Sequence, residues 1–489
     1  MDSTLKKNYI YNLLSQLLTI IIPVITTPYI SRVLGAQSIG DFGYTTGIVS
    51  YFCMIAMLGT ANYAQREIAK RHKHKDEVSC VFFEILIIRV VMILLVFIIY
   101  LLFLNLSSWR RYRTLFSVQI ISFVAWGFDI SWLFQGLEQF KVTALRNSIV
   151  KIISTILILA LVKKESDLVL YTIVYCLSDL LGNITMWLSL KGVINKTCFS
   201  ELSLSRHFKG VWELFIPNIA LQLYTVFDKT MLGSLVDTLQ VGYYSQAEKI
   251  IKIILVAISS LFTVLLPRFS YLSDRQEGME ADSYFALAIK YTYFMAIPLT
   301  IGCVCVSDYF VPIFFGPGYE KVSPLMKILA VLFIVMSIEK LLGTILIAYS
   351  KQNIYTKSVV VASIINVTLN MMFILVFRLG ARGVAIASVI AEFVAMLIQL
   401  FNLPKCFHKF YVVALSKNYI IAGAVMFCTL ILIKNIPMGV GCHLALSVLL
   451  GATIYLWLLI TVKDDMISSV LKYFRVKMLK NPLYHNNCK

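Results

Sequence analysis

The chain is predicted to be an all-α polytopic membrane protein of about fourteen transmembrane helices, two six-helix bundles followed by two further spans. Three observations carry this. Only 14% of the 489 residues are charged while 59% are hydrophobic, against roughly 25% charged in a soluble domain, so most of the surface must face lipid. Apolar runs of spanning length recur from end to end. Two stretches roughly 200 residues apart repeat one short pattern.

A spanning helix needs about 20 apolar residues, and polar or Gly/Pro punctuation divides the chain into runs at 9–31, 41–63, 79–104, 114–135, 142–162, 167–189, 211–235, 243–267, 284–306, 323–349, 358–377, 383–403, 418–434 and 442–462. The segment after Lys7 is too long for a signal peptide core and lacks a convincing cleavage site, so it reads as a retained first helix. Connectors are short, and function must come from the helices and their mouths. With the N-terminus cytoplasmic, most cations fall on inside segments; Arg32, Arg110, Arg111, Arg113, Lys163, Lys164, Lys321, Arg378, Arg382 and Lys434 fall outside. Both termini are therefore expected in the cytoplasm, with the Arg110–Arg113 cluster running against the rule. The 44 Lys and Arg against 26 Asp and Glu thus mean cytoplasmic loops beside anionic lipid, not nucleic acid.

Arg89, Lys229, Lys249, Lys252, Lys290, Lys327 and Lys340 lie within or at the edge of predicted spans. Each costs about 2.5–3.5 kcal/mol at a helix centre, so each either lines a watery interior or snorkels and pairs locally. In the first span Asn8, Asn12, Ser15, Thr19 and Thr26 share one helical face beside Pro23; in the seventh, Asn218, Gln222, Thr225 and Lys229 do so after Pro217. Two readings fit a polar stripe: interhelical hydrogen bonds or a lumen, and its appearance at the start of each half favours the lumen. Near those stripes the chain reads Arg32-Val33-Leu34-Gly35 then Ile39-Gly40-Asp41-Phe42, and again Thr230-Met231-Leu232-Gly233 then Val241-Gly242-Tyr243-Tyr244. Six intervening spans preserve orientation, which makes the repeat parallel, with a pseudo-twofold axis along the membrane normal. The expected domains are 1–209 and 210–410, one six-helix bundle each around a central cavity, then 411–489 with the last two helices and a basic tail.

Pro28-Tyr29-Ile30-Ser31-Arg32-Val33-Leu34-Gly35, Gly59-Thr60-Ala61-Asn62-Tyr63-Ala64-Gln65-Arg66-Glu67-Ile68-Ala69, Phe227-Asp228-Lys229-Thr230-Met231-Leu232-Gly233, Val241-Gly242-Tyr243-Tyr244-Ser245-Gln246-Ala247-Glu248-Lys249-Ile250 and Leu266-Pro267-Arg268-Phe269-Ser270 together resemble the lipid-linked polysaccharide repeat-unit flippases of the multidrug/oligosaccharidyl-lipid/polysaccharide superfamily. The resemblance implies a substrate: a short oligosaccharide on a polyprenyl (undecaprenyl) pyrophosphate, turned from the cytoplasmic to the outer face of the cell membrane by alternating access, for capsule or O-antigen type polysaccharide. It also implies contacts with membrane lipids and with polymerase and chain-length partners; both bundles in one chain suggest a monomer. Such a headgroup needs cations for phosphate and amides and hydroxyls for sugar.

Peptidoglycan-precursor translocases carry a Ser-Arg pair ending the first helix and an Ala-Asp-Arg-Leu-like turn opening the eighth. Here Ser31-Arg32 and Ala247-Glu248-Lys249-Ile250 match, with Lys for Arg keeping the charge and losing the fork geometry. The resemblance thus points to Arg32, Lys249 and Lys252 as phosphate readers. Lys229, Asn218, Gln222, Arg89, Lys290 and Lys340 are further substrate-binding candidates. Asp228, Glu248 and Asp129 are gating or coupling candidates, with ion pairing the alternative; Asp179, Glu339 and Glu392 either couple an ion or neutralise neighbouring cations. Arg66 sits at the cytoplasmic mouth as a guide or a gate. The nearly uncharged spans 13 and 14 suit the apolar groove that family members use for the polyprenyl tail.

No His-Glu-x-x-His, C-x-x-C or G-x-x-x-x-G-K-[ST] occurs, so no metal, cofactor or nucleotide hydrolysis is expected. A cation-coupled multidrug exporter of the same superfamily is the alternative, usually built with twelve spans and carboxylate-rich cavities. A membrane polymerase or glycosyltransferase would show a long loop bearing catalytic residues, and none is present.

Overall fold

The structure is a computed structural model that describes residues 3–195 and 202–468; among these, the side chains of residues 3–17, 19, 107, 108, 140, 144, 145, 147, 213, 214, 216–225 and 263 are outside the described residues. Every described regular element is helical. The cause is the solvent: hydrocarbon offers no hydrogen bonds, so a spanning segment must pair its own backbone. Among the described residues, twelve helices are long and apolar enough to cross a membrane. The first of these, Ile20–Lys70, takes in the end of the first predicted span and all of the second, and α8 (Ser205–Leu235) covers the seventh.

The chain forms two compact units. The first comprises residues 1–245 with 315–318. It holds α1 (Ser3–Met57), α2 (Thr60–Lys70), α3 (Lys75–Leu104), α4 (Arg113–Gly127), α5 (Ser131–Gly136), α6 (Phe140–Leu161), α7 (Leu168–Trp187), α8 and the start of α9 (Thr238–Asp274). The second holds the rest of α9, α10 (Gly278–Phe314), α11 (Val322–Leu329), α12 (Leu332–Ala348), α13 (Gln352–Met371), α14 (Ala381–Phe401), α15 (Tyr411–Ala414), α16 (Lys417–Lys434) and α17 (Val440–Thr461).

No loop separates the first two predicted spans. Gly35 alone, at φ 74° and ψ 169°, breaks α1, a backbone region open essentially to glycine only. Before it, Pro23 and Pro28 interrupt the helix hydrogen bonds, and the hydroxyls of Thr26 and Ser31 donate to the carbonyls of Ile22 (3.0 Å) and Thr27 (2.7 Å), as expected where backbone groups have no water. At the other end of the first unit, fully buried Glu84 accepts from Ser203 N (2.7 Å), from His207 Nε2 (2.6 Å) and from Arg206. Tyr63 Oη lies 2.9 Å from His207 Nδ1, so this carboxylate ties α2, α3 and the start of α8 together.

Further along α1 the repeated segments meet. A Cβ on Gly40 would lie 1.7 Å from the carbonyl oxygen of Thr238, and one on Gly242 would lie 2.1 Å from that of Ala36. The contact is reciprocal, each glycine lying under the carbonyl four residues before the other. Small residues permit this backbone approach, and polar groups flank it: Gln37 Nε2 donates to Thr238 Oγ1 (2.7 Å), Thr238 Oγ1 to Asp41 Oδ1 (2.5 Å), and Tyr44 Oη lies 2.9 Å from Ser234 Oγ. Gly40→Ala is therefore expected to cost about 1–3 kcal/mol or more, seen as a lower unfolding temperature of the purified protein. Gly441→Ala, with nothing within 4 Å of the added methyl, is expected to leave that temperature unchanged or slightly higher.

Candidate functional site

In the first unit Arg32 sits one turn before the Gly35 break, exposed, its stem running along Gly316. Gly316 has φ 93°, and a Cβ there would come within 2.9 Å of Arg32 Cγ, so the glycine loop leaves the guanidinium its berth. On α8, Asp228 is buried and accepts from Tyr244 Oη at 2.7 Å, while Thr230 Oγ1 lies 2.7 Å from Tyr51 Oη. Lys229 is half-buried beside them. Asn218 and Gln222 lie outside the described residues.

Arg89 is only 2% exposed. Its Nη1 donates to the Asp129 carbonyl (2.5 Å), Nη2 to Met57 Sδ (2.9 Å), and its guanidinium lies 5.8 Å from the Trp132 ring centre. The Asp129 carboxylate accepts from Ser131 N (2.9 Å) and so caps α5. Arg66 stacks 5.6 Å over Tyr63 and stands 3.6 Å from Glu67, a carboxylate already engaged by Lys70 (2.9 Å) and Arg71 (2.5 Å).

Another charged group emerges between α6 and α7. Arg146 donates to Asn183 Oδ1, Asn183 Nδ2 donates to the Ala125 carbonyl (2.5 Å), and Asp179 lies within electrostatic reach of Arg146 and Lys151. Sequence reasoning counted Arg146 and Lys151 as loop cations for orientation; both belong to a helix long and apolar enough to span. The signal was present: Lys151 and Thr155 follow Asn147 at steps of four, the stripe spacing already seen in the first and seventh spans.

In the second unit, Lys252 pairs with Glu248 one turn earlier on α9 (2.5 Å), and Lys249 is half-buried beside them. Lys340 on α12 lies within electrostatic reach of Lys252, Glu339 and Glu392. Glu339 Oε1 accepts from Gln399 Nε2 (2.5 Å), which also donates to Ser358 Oγ (3.0 Å). Lys290 is apart from this group, paired with Asp465 at 2.5 Å, and Lys327 is held by Asp308 at 2.7 Å. No group of His, Cys, Asp and Glu suited to a metal occurs among the described residues.

A cavity of about 420 Å³ opens on α9, α10, α16 and α17, lined by Ile250, Ile254, Phe294, Pro298, Met426 and Tyr455 among others. Its walls are almost wholly apolar. At 100° per residue, Ile250 and Ile254 share the α9 face opposite to Glu248 and Lys252. One helix thus separates a greasy cavity from a charged side, which is the chemistry an amphiphile with an anionic head requires.

Comparison with known proteins fits this arrangement. A family described as "Polysaccharide biosynthesis protein" matches residues 5–273. A putative O-antigen transporter of Shigella dysenteriae is 25% identical over 402 residues, 81% of this chain and 99% of that protein; one from Escherichia coli is 22% identical over 75% and 89%. A probable flippase of Haloferax volcanii, AglR, is 23% identical over about half of each chain. Among solved structures, the lipid II flippase MurJ in its inward closed conformation superposes with a TM-score of 0.74 at 18% identity, covering 94% of this chain and 100% of that one. An inward-facing multidrug resistance transporter of the MATE family gives 0.60 at 14% identity, covering 85% and 95%.

Tyr244→Phe removes a donor from buried Asp228 and is expected to destabilise the protein by about 1–3 kcal/mol, read as a lower unfolding temperature in detergent.

Proposed function

The chain belongs to the polysaccharide biosynthesis protein family, and from that premise we propose that it flips a lipid-linked oligosaccharide, a repeat unit on polyprenyl pyrophosphate, from the cytoplasmic to the outer face of the cell membrane. The observation that carries the reading is the two-sided α9. Lys249 and Lys252 offer cations at one level of the helix, while Ile250 and Ile254 open onto the apolar cavity of α10, α16 and α17. In this reading the lysines hold the diphosphate and the cavity takes isoprenoid. That chain comes from the bilayer, not from water, so the cavity holds it by packing and without sequence-specific sugar contacts.

Arg32 serves as a second cationic station, exposed where α1 breaks at Gly35. Lys340 adds charge beside Lys252; Lys229, Asn218 and Gln222 are further proposed contacts, whereas Arg89, enclosed by Asp129, Met57 and Trp132, and Lys290, paired with Asp465, are left out of the set. Asp228, Glu248 and Asp129 gate or couple the cycle, and Arg66 receives the headgroup at the cytoplasmic mouth. The names carried by the O-antigen transporters and the flippase among its relatives support the substrate class. The reciprocal Gly40–Gly242 crossing supports a pseudo-twofold relation between the repeated segments.

Lys249→Ala and Arg32→Ala are each expected to leave the protein inserted at normal amounts while surface polysaccharide falls about tenfold or more, the value of a charge-assisted hydrogen bond, and lipid-linked repeat unit accumulates inside. Lys249→Arg, which keeps the charge, is expected to retain most export. The measurement is complementation of a strain lacking its own translocase, scored by surface polysaccharide and by the sidedness of the lipid-linked pool. Wild-type export from both alanine variants removes those two residues from the site.

A further inference from the structure

The second unit has a polar cavity at one end of its helices, of about 260 Å³, lined by Lys290, Lys417, Asn418, Lys463, Asp464 and Asp465 with Leu415 and Tyr419. Its position sets what can reach it. α16 begins at Lys417 and α17 ends at Thr461, both membrane-spanning helices, so the cavity lies where two spans leave hydrocarbon. Lys290 is twelve residues into α10, about 18 Å from that helix's start at 1.5 Å per residue, which brings it level with those two ends. Three ammonium groups therefore share the depth of lipid headgroups.

The backbone adds to their field. The first-turn amides of an α-helix have no intrahelical acceptor, and those of Lys417, Asn418 and Tyr419 open α16 at the cavity wall, with no side chain capping them. The helix dipole makes this end favourable for negative charge. Lys463 stands in the left-handed region at φ 54°, in the turn where its amide and that of Asp464 bond back to Ile460 and Leu459 (both 3.0 Å). Glycine suits this position better, so the chain accepts a conformational cost to place an ammonium there.

The two acids do not cancel the cations equally. Asp464 is buried and committed, accepting from Tyr419 Oη (3.0 Å) and Met466 N (2.9 Å). Asp465 has a side chain 77% exposed and reaches Lys290 at 2.5 Å; the hydrogen bond from Lys290 holds its carboxyl below the usual range. It occupies Lys290 as a ligand anion would. The following sequence, from Ser469 to Lys489, carries Lys472, Arg475, Lys477, Lys480 and Lys489 and no Asp or Glu, a composition that favours anionic lipid.

We propose that this cavity binds the phosphate of an anionic phospholipid headgroup, taken by Lys417, Lys463 and the α16 amides, with Lys290 joining when Asp465 swings out. The site is separate from the lysines of α9 and does not depend on the substrate reading above.

The test uses the full chain reconstituted in phosphatidylcholine vesicles containing a small fraction of spin-labelled phosphatidylglycerol, with lipid enrichment at the protein read by electron spin resonance. An ammonium at the membrane surface contributes a factor of about five. Lys417→Gln and Lys463→Gly are each expected to lower phosphatidylglycerol enrichment about fivefold, and Lys463→Gly to do so while unfolding no earlier than the parent protein. Asp465→Asn is expected to raise enrichment by a similar factor. Enrichment lost on adding inorganic phosphate, together with loss of phosphate binding in the two lysine variants, keeps the anion site and assigns it to soluble phosphate. Equal enrichment in all four proteins, or a fall with Asp465→Asn, overturns the proposal.

Discussion

Hydrocarbon cannot take part in a hydrogen bond, and the rest of the structure follows from how the chain copes with that. Backbone groups are paired within helices, and the hydroxyls of Thr26 and Ser31 near Pro23 and Pro28 are satisfied by carbonyls of their own helix. Charged side chains are handled the same way. Arg89 is surrounded by a carbonyl, a thioether and an indole face, and Glu84 collects donors from three residues at the end of one unit. A charge at bilayer depth is costly, and the half-buried Lys249 and Lys340 and the exposed Lys252 and Arg32 differ from the enclosed Arg89 in keeping access to their surroundings.

The division of labour on α9 explains how a single helix can serve a ligand of mixed character. Successive residues turn by 100°, so four consecutive positions, Glu248 to Ile251, already sample charge, cation and apolar face. An anionic head and an isoprenoid tail need not then be recognised by separate domains. In the proposed function the same helix meets both, on faces fixed by its own covalent geometry.

Much of the architecture was legible because lipid imposes a length and a polarity on each span. The runs at 358–377 and 383–403 correspond closely to α13 and α14, and the uncharged last two spans correspond to α16 and α17 around the apolar cavity. What sequence pattern could not show was partnership over distance. Lys290 meets Asp465 175 residues away, and the thioether beside Arg89 comes from Met57 on another helix; no periodicity links such residues. The turn at Gly35 was hidden for another reason: a single residue in an unusual backbone state replaces the expected connector, and a lone glycine among apolar neighbours carries no mark of it. Lys151 lay on a stripe with Asn147 and Thr155, but it and Arg146 were read as topological charges.

The meeting of Gly40 and Gly242 has a mechanical consequence. Main chain lies directly on main chain at the two glycines, and around them the Gln37–Thr238–Asp41 and Tyr44–Ser234 hydrogen bonds key the two segments together. Such a seam exposes little greasy area on opening and can close in one register only, because any slip drives a Cβ into a carbonyl. It is a keyed joint, unforgiving of misalignment.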